Sequence, residues 1–234
     1  MARLNWINDD VLKPIVDKLL KKSVAAKQNA NKKFGKNVID PFSALFEISG
    51  FEIDFDEWVL SETARQAQKT LQNHVGNFHQ EILGACEGVR NLKTGSVIDL
   101  VLEEKKIVVE LKNKYSTISG GKLAELYYSL ESLVMPKSSV YKDYTAYYAM
   151  VIPKKTTRFD REFTPSDKNK GSKCPSNRLI REIDGASFYS LLTGEINALE
   201  NLFDVLPIVI SEITGKEPIS KNKLKTFFDL AYKG

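Results

Sequence analysis

Asp99-Leu-Val-Leu-Glu-Glu-Lys-Lys-Ile-Val-Val-Glu-Leu-Lys112 is the stretch whose reading decides the fold. Two apolar runs, residues 96–102 and 107–111, flank the charged tetrad 103–106. Such a pattern predicts a β-hairpin. With the turn centred between Glu104 and Lys105, paired positions sum to 209, so Asp99 is expected directly opposite Glu110. Their Cβ atoms would then lie roughly 5 Å apart. Lys112 follows two residues later and points to the same face. Val97, Val101 and Val108 share that face, while Ile98, Leu100, Leu102, Ile107, Val109 and Leu111 are expected on the other. A strand pair apolar on both sides is normally covered on both sides.

Two like charges opposed in a covered sheet destabilise it. An unpaired buried carboxylate costs several kcal/mol or takes up a proton. A divalent cation such as Mg²⁺, bound by carboxylate oxygens and water, removes the conflict. Asp99, Glu110 and Lys112 are therefore the candidate catalytic group, with Asp99 and Glu110 as metal ligands and the Leu111 carbonyl as a further one. The other reading of the same residues is a salt bridge of Lys112 with Glu110 or Asp99 at a sheet edge.

The arrangement resembles the PD-(D/E)xK nuclease motif, in which an acid on each of two adjacent strands holds Mg²⁺ and a lysine lies two residues after the second. Ile98 stands where that motif has its proline.

Charge is unevenly spread. The chain of 234 residues carries +4 overall, yet residues 13–36 sum to +7 and residues 154–181 to +6, leaving −9 for the rest. Two basic segments on an acidic body suit a polyanion. No apolar run approaches a membrane span, and the N-terminus lacks a signal peptide's apolar core. Cys86 and Cys174 have no metal-ligand spacing, so a reduced, cytoplasmic protein is expected. His74 and His79 are five apart, which does not place two ligands on one helix face.

Along the chain, residues 9–33 predict an amphipathic helix capped by Asp9 or Asp10, with Pro14 in its first turn. Asp40-Pro41 opens a short apolar helix. Glu52, Asp54, Asp56 and Glu57 read as an acidic helix entry. Residues 61–83 predict a long helix capped by Ser61 and rich in amides: Gln66, Gln68, Gln72, Asn73, Asn77 and Gln80. Amides pair with adenine edges and donate to phosphates, so this helix is a candidate DNA-facing or dimer-facing surface. Glu81 is either a third acidic ligand or a surface carboxylate. Residues 122–134 predict a helix and residues 144–152 a further strand. Residues 154–178 read as a long basic loop, mobile without DNA. Residues 178–183 predict a strand. Helices follow at 187–192, 195–213 and 221–232, the second of them kinked or broken at Pro207. Candidate DNA contacts are Lys69, Gln72, Asn73, Lys114, Lys154, Lys155, Arg158, Arg161 and Arg178.

Three stretches give a closer resemblance: residues 36–47, residues 65–84 and residues 95–120. With these, the chain resembles the type II restriction endonucleases that cut GGNCC or GGWCC, over roughly its first half. The resemblance implies a homodimeric, Mg²⁺-dependent endonuclease that cuts both strands of a palindromic site, with Asp99, Glu110 and Lys112 at the positions of its active-site triplet. A cognate cytosine methyltransferase would protect the host at the same site. The expected fold is α/β, a mixed central sheet flanked by helices, in one endonuclease domain over 1–234: a helical part to about 90, the catalytic sheet about 94–183, and C-terminal helices about 187–234. The alternatives are a repair or recombination nuclease on the same fold, or a DNA-binding module without catalysis.

Overall fold

The computed structural model describes residues 2–92 and 97–233. Ser96, where the first apolar run begins, and the start of the expected sheet near residue 94 lie outside the described residues. Seven α-helices are described: α1 (Asp9–Lys33), α2 (Pro41–Gly50), α3 (Phe55–Leu83), α4 (Leu123–Val134), α5 (Gly185–Thr193), α6 (Ala198–Thr214) and α7 (Lys221–Tyr232). The strands are β1 (Val89–Asn91), β2 (Leu100–Leu102), β3 (Ile107–Lys114), β4 (Thr145–Ile152), β5 (Asp160–Glu162), β6 (Ser166–Asp167), β7 (Ser172–Lys173) and β8 (Ile180–Asp184). Six of these form a mixed sheet in the order β1-β2-β3-β4-β8-β5, and β6 pairs with β7. Neighbours β3, β4 and β8 run parallel, and the others are antiparallel.

Helices cover both faces. On one face, Leu100, Leu102, Ile107, Val109 and Leu111 pack with Leu12 and Val16 of α1, Phe78 and Ile82 of α3, and the helices α5 and α6. On the other, Ile98, Val101 and Val108 pack with Tyr127, Leu130 and Val134 of α4. The hairpin keeps the expected register from Leu100 paired with Val109 to Leu102 paired with Ile107. Its turn closes with the Lys106 N–H on the Glu103 carbonyl at 3.1 Å.

One expectation fails at the end of β2. The Asp99 N–H donates to the Val109 carbonyl at 2.7 Å, although Leu100 is already the ladder partner of Val109. Two residues thus face one, as in a β-bulge. The extra residue reverses the alternation behind it, so Ile98 joins Val101 and Val108 rather than Leu100. Asp99 is consequently not a ladder partner of Glu110.

Several element ends also differ from the sequence reading. The first helix is capped by Asn8, whose side chain accepts from the Asp10 N–H, and not by Asp9 or Asp10. Pro14 therefore lies beyond the first turn, inside the helix. The long helix starts at Phe55, not after Ser61, because Asp54 and Glu57 form a reciprocal capping box. Helix α6 runs unbroken through Pro207, held to the core by buried Leu199, Leu202 and Val209. The segment 154–178 is not structureless: it contributes the edge strand β5 and the β6–β7 pair. Ion pairs Arg181–Asp160 and Arg161–Glu182 hold that edge, and Phe163 and Cys174 anchor the segment in the core. Cys86 and Cys174 are both free and buried. Among the described residues no helix is long and apolar enough to cross a membrane.

Gly185 opens α5 hard against β4. A Cβ there would stand 2.2 Å from the Val151 carbonyl oxygen and 2.6 Å from its Cα, both backbone atoms. Gly185→Ala is expected to lower stability by about 2–3 kcal/mol through overpacking, read as an earlier urea midpoint at unchanged slope.

Candidate active site

The site is built where β2 gives way to the bulge. Freed from the ladder, Asp99 turns its carboxylate to the neighbouring strand, and Oδ2 accepts the Leu111 N–H at 2.8 Å. That bond holds the Leu111 backbone beside the charged side chains. Glu110 and Lys112, two apart on β3, form an ion pair, with Glu110 the more buried of the two. Burial pushes the Glu110 carboxyl up to about 7, the charge of Asp99 adds to the rise, and Lys112 opposes it. The two carboxylates therefore repel each other, and the Lys112 ammonium, paired with Glu110, offsets them.

A cleft of about 240 Å³ opens beside this group. Asp99, Leu111, Lys112 and Lys114 line it from the sheet, and Gln72, Asn73, Gly76, Asn77 and Gln80 line it from α3. Residues 69, 72, 73, 76 and 80 recur at helical spacing, so Lys69, exposed, continues the same stripe away from the cleft. The amide-rich helix thus presents its polar face to Asp99 and Lys112, while Glu110 does not line this cleft and lies beside Tyr148 in the sheet. The helix passes close to β3 at Gly76, where a Cβ would stand 3.6 Å from the Asn113 Cβ, an ordinary van der Waals contact.

The candidate third ligand is placed elsewhere. Glu81 pairs with Lys18 at 2.5 Å and lines a separate cleft with His74. Gln80, one residue earlier, is the side chain that lines the Asp99 cleft. His79 faces the core, its Nδ1 at 2.7 Å from the Tyr189 hydroxyl, and desolvation depresses its pKa to about 4. Among the described residues no group of three or more His, Cys, Asp or Glu gathers at one point.

A second cleft, about 450 Å³, opens beyond the C-terminal end of β4 and is lined by Lys154, Lys155, Arg158 and Arg161. Tyr115 lines this cleft and Thr117 the first, so the short turn Tyr115–Thr117 stands between them. The cations here are not equivalent. Arg158 donates to Ser187 Oγ, Ser190 Oγ and the Ile196 carbonyl, at 3.1, 2.7 and 3.2 Å, and is engaged within the fold. Arg161 pairs with Glu182 at 2.6 Å. Lys154 and Lys155 are exposed. Arg178 sits in the turn before β8, at the opposite end of the parallel strands, and does not join them.

Sequence reasoning missed Tyr148. The strand register sets Glu110, Tyr148, Glu182 and Arg161 side by side across four strands. The Tyr148 hydroxyl is buried without a hydrogen-bond partner, and its pKa rises to about 12 through burial and the charges of Glu182 and Glu110. Strand order, absent from a single chain's pattern, is what brings this row together.

A mixed sheet clothed by helices on both faces, with an acid, a second acid and a lysine gathered on adjacent strands, is of the restriction-endonuclease-like class. Comparison with known proteins makes this particular. The family model described as Eco47II restriction endonuclease matches residues 4–215. The chain belongs to that family of site-specific nucleases. It is 50% identical over 239 residues to the Type II restriction enzyme Eco47II of Escherichia coli, covering 99% of this chain and 100% of that one. It is 30% identical over 202 residues to the Type II restriction enzyme Sau96I of Staphylococcus aureus, covering 85% of this chain and 76% of that protein.

Two buried groups give the metal-free protein opposite pH responses. Glu110 binds its proton more tightly folded than unfolded, so its contribution to stability is complete below pH 4.5 and is lost as pH rises through about 7. His79 binds its proton less tightly folded, so its contribution is complete above pH 6.5 and is lost as pH falls through about 4. Subtracting the urea-unfolding free energy of E110Q from that of the wild type should give a difference that falls with rising pH across the first window. The same subtraction with H79Q should give one that rises across the second. Each slope is at most about 1.4 kcal/mol per pH unit; two flat differences would contradict the placement of these side chains.

Proposed function

We propose that this chain is a type II restriction endonuclease that hydrolyses double-stranded DNA at a short palindromic GGNCC-like site, using Mg²⁺ and acting as a homodimer. The observation that carries the reading is the gathering of Asp99, Glu110 and Lys112, of which Asp99 and Lys112 line the cleft under the polar face of α3. Membership of a restriction endonuclease family supports the substrate, DNA. The names of the two relatives support the type II assignment.

Enzymes of this type generally need a divalent metal, and the residues fit one. Two carboxylates against one ammonium leave a net negative charge in a mostly buried setting, and Glu110 is held in an unfavourable state without a cation. Among the described residues two side-chain carboxylates converge, so the remaining oxygens would come from the backbone and from water, as suits Mg²⁺. Asp99 and Glu110 would hold the ion, with the Leu111 carbonyl as a backbone ligand. Bound there, it would supply charge stabilisation at the reacting phosphate and a more acidic water.

The chain's own residues do the rest. Lys112 is steered by Glu110, reaches the cleft, and would hold the scissile phosphate and orient the attacking water. Asp99 fixes the Leu111 backbone so that the two acids keep their spacing. Gln72, Asn73, Asn77 and Gln80 offer paired donors and acceptors toward the grooves of the duplex. Lys154 and Lys155 offer phosphate contacts that carry no sequence information. Twofold symmetry of the enzyme would match a palindromic site. A host encoding it would need a cytosine methyltransferase acting on the same sequence.

Digestion of a sequenced plasmid with Mg²⁺, followed by mapping of the ends, tests the assignment. Discrete fragments ending at one GGNCC-like sequence are expected. Cuts only at junctions or mismatches would make it a repair nuclease instead. Lys112→Ala should lower cleavage at least about 10²- to 10³-fold while leaving the Kd for the site within a few-fold, read by gel shift in Ca²⁺; a variant that cuts at the wild-type rate rules out the role. The double variant K154A/K155A should weaken binding to specific and nonspecific DNA alike. It should also lower the slope of log K against log salt by about 2.

A further inference from the structure

Helix α2 buries no side chain. Phe42, Leu45 and Phe46 recur at i, i+3 and i+4 on it, and all three are exposed. Phe51 lies just beyond its end, and Phe55 and Leu60 belong to the first turns of α3. With Val38 they make seven large apolar side chains, each at least 60% exposed, within residues 38–60. The helix is tied down only locally: Trp58 Nε1 donates to Glu47 at 2.8 Å, and the rings of Phe34 and Phe55 flank Trp58. Soluble monomers rarely leave an apolar patch beyond a few hundred Å² open.

We infer that α2 and the start of α3 form the surface through which two copies of this chain associate. The inference rests on the dimer reading above and adds which face is used. Area is the first argument. The four phenylalanines alone leave roughly 550 Å² open. With Val38, Leu45 and Leu60 the patch reaches about the 800 Å² per partner of a standard interface. Charge is the second. Lys32, Lys33 and Lys36 precede the apolar residues along the chain, and Glu52, Asp54, Asp56 and Glu57 stand among Phe51, Phe55 and Leu60, all exposed, so one end of the segment is basic and the other acidic. A patch with a basic flank and an acidic flank complements itself in a twofold interface, where each flank meets its opposite on the other copy. The acidic flank and the open phenylalanines disfavour DNA as the occupant. The place is also compatible with the site: along α3, Phe55 to Gln72 is about 25 Å at 1.5 Å per residue, so the contact leaves each amide stripe free.

Sedimentation equilibrium of the full chain, without DNA or metal, tests this. The wild type is expected as a dimer at micromolar concentration. F42E/F46E, changed at two exposed positions, should be a monomer with unaltered far-UV circular dichroism and a dimer Kd raised at least 100-fold. F42A/F46A should raise it about 10-fold, and decides the matter should the charged variant fail to fold. L230E, an exposed apolar position on α7, should remain dimeric. A dimeric wild type whose F42E/F46E and F42A/F46A variants keep its Kd overturns the surface and leaves the dimer reading intact. A dimer that only L230E dissociates does the same. A monomeric wild type overturns both, while plasmid cleavage, measured separately, speaks to the nuclease assignment. Dimeric variants that lose DNA binding would assign the patch to DNA and overturn the inference.

Discussion

The constraint that organises this molecule is the meeting of two carboxylates inside a covered sheet. Glu110 has too little water around it to dissipate its charge, the charge of Asp99 adds to the conflict, and Lys112 offsets it. A hydrophobic pair at these positions would pack a sheet of this kind with less conflict. The surrounding elements hold the conflict in place: the bulge at Asp99, the bond from Leu111, the parallel strand β4 locked beside β3, and α3 facing Asp99 across the cleft. Local strain of this kind persists where the surrounding fold over-determines it.

Much of that was legible in the residues. Two apolar runs about the charged tetrad 103–106 announced the hairpin, its turn and its register from Leu100 to Ile107. Two-sided apolarity announced that the sheet would be covered twice, as it is. The misplacement of Ile98 has one cause: strict alternation assumes an unbroken ladder, and a single extra residue inverts every side chain beyond it. The bulge leaves no mark in composition, because Asp99 needs no glycine to adopt it.

Other misses have different causes. The start of α3 was visible in Asp54 and Glu57, three apart, a spacing that outranks Ser61 once read as a reciprocal cap. Pro207 does remove a helical hydrogen bond, but the burial of its neighbours outweighs that loss. Residues 154–178 carry too few apolar residues to signal strands by pattern. Their order comes from partners far along the chain, Arg181 and Glu182 on β8 and the core around Phe163 and Cys174. For the same reason the row of Glu110, Tyr148, Glu182 and Arg161 exists only once the strands are ordered.

The three hydrogen bonds of Arg158 have a thermodynamic consequence. They fasten the basic arm to α5 and to the Ile196 carbonyl before any ligand arrives. On the proposed reading, docking of a polyanion onto Lys154 and Lys155 would proceed against a pre-set shape, without the ordering entropy of a segment that folds as it binds. The calorimetric signature of such docking would accordingly be that of a rigid body: a small change in heat capacity, with the association driven by the ions released from the duplex.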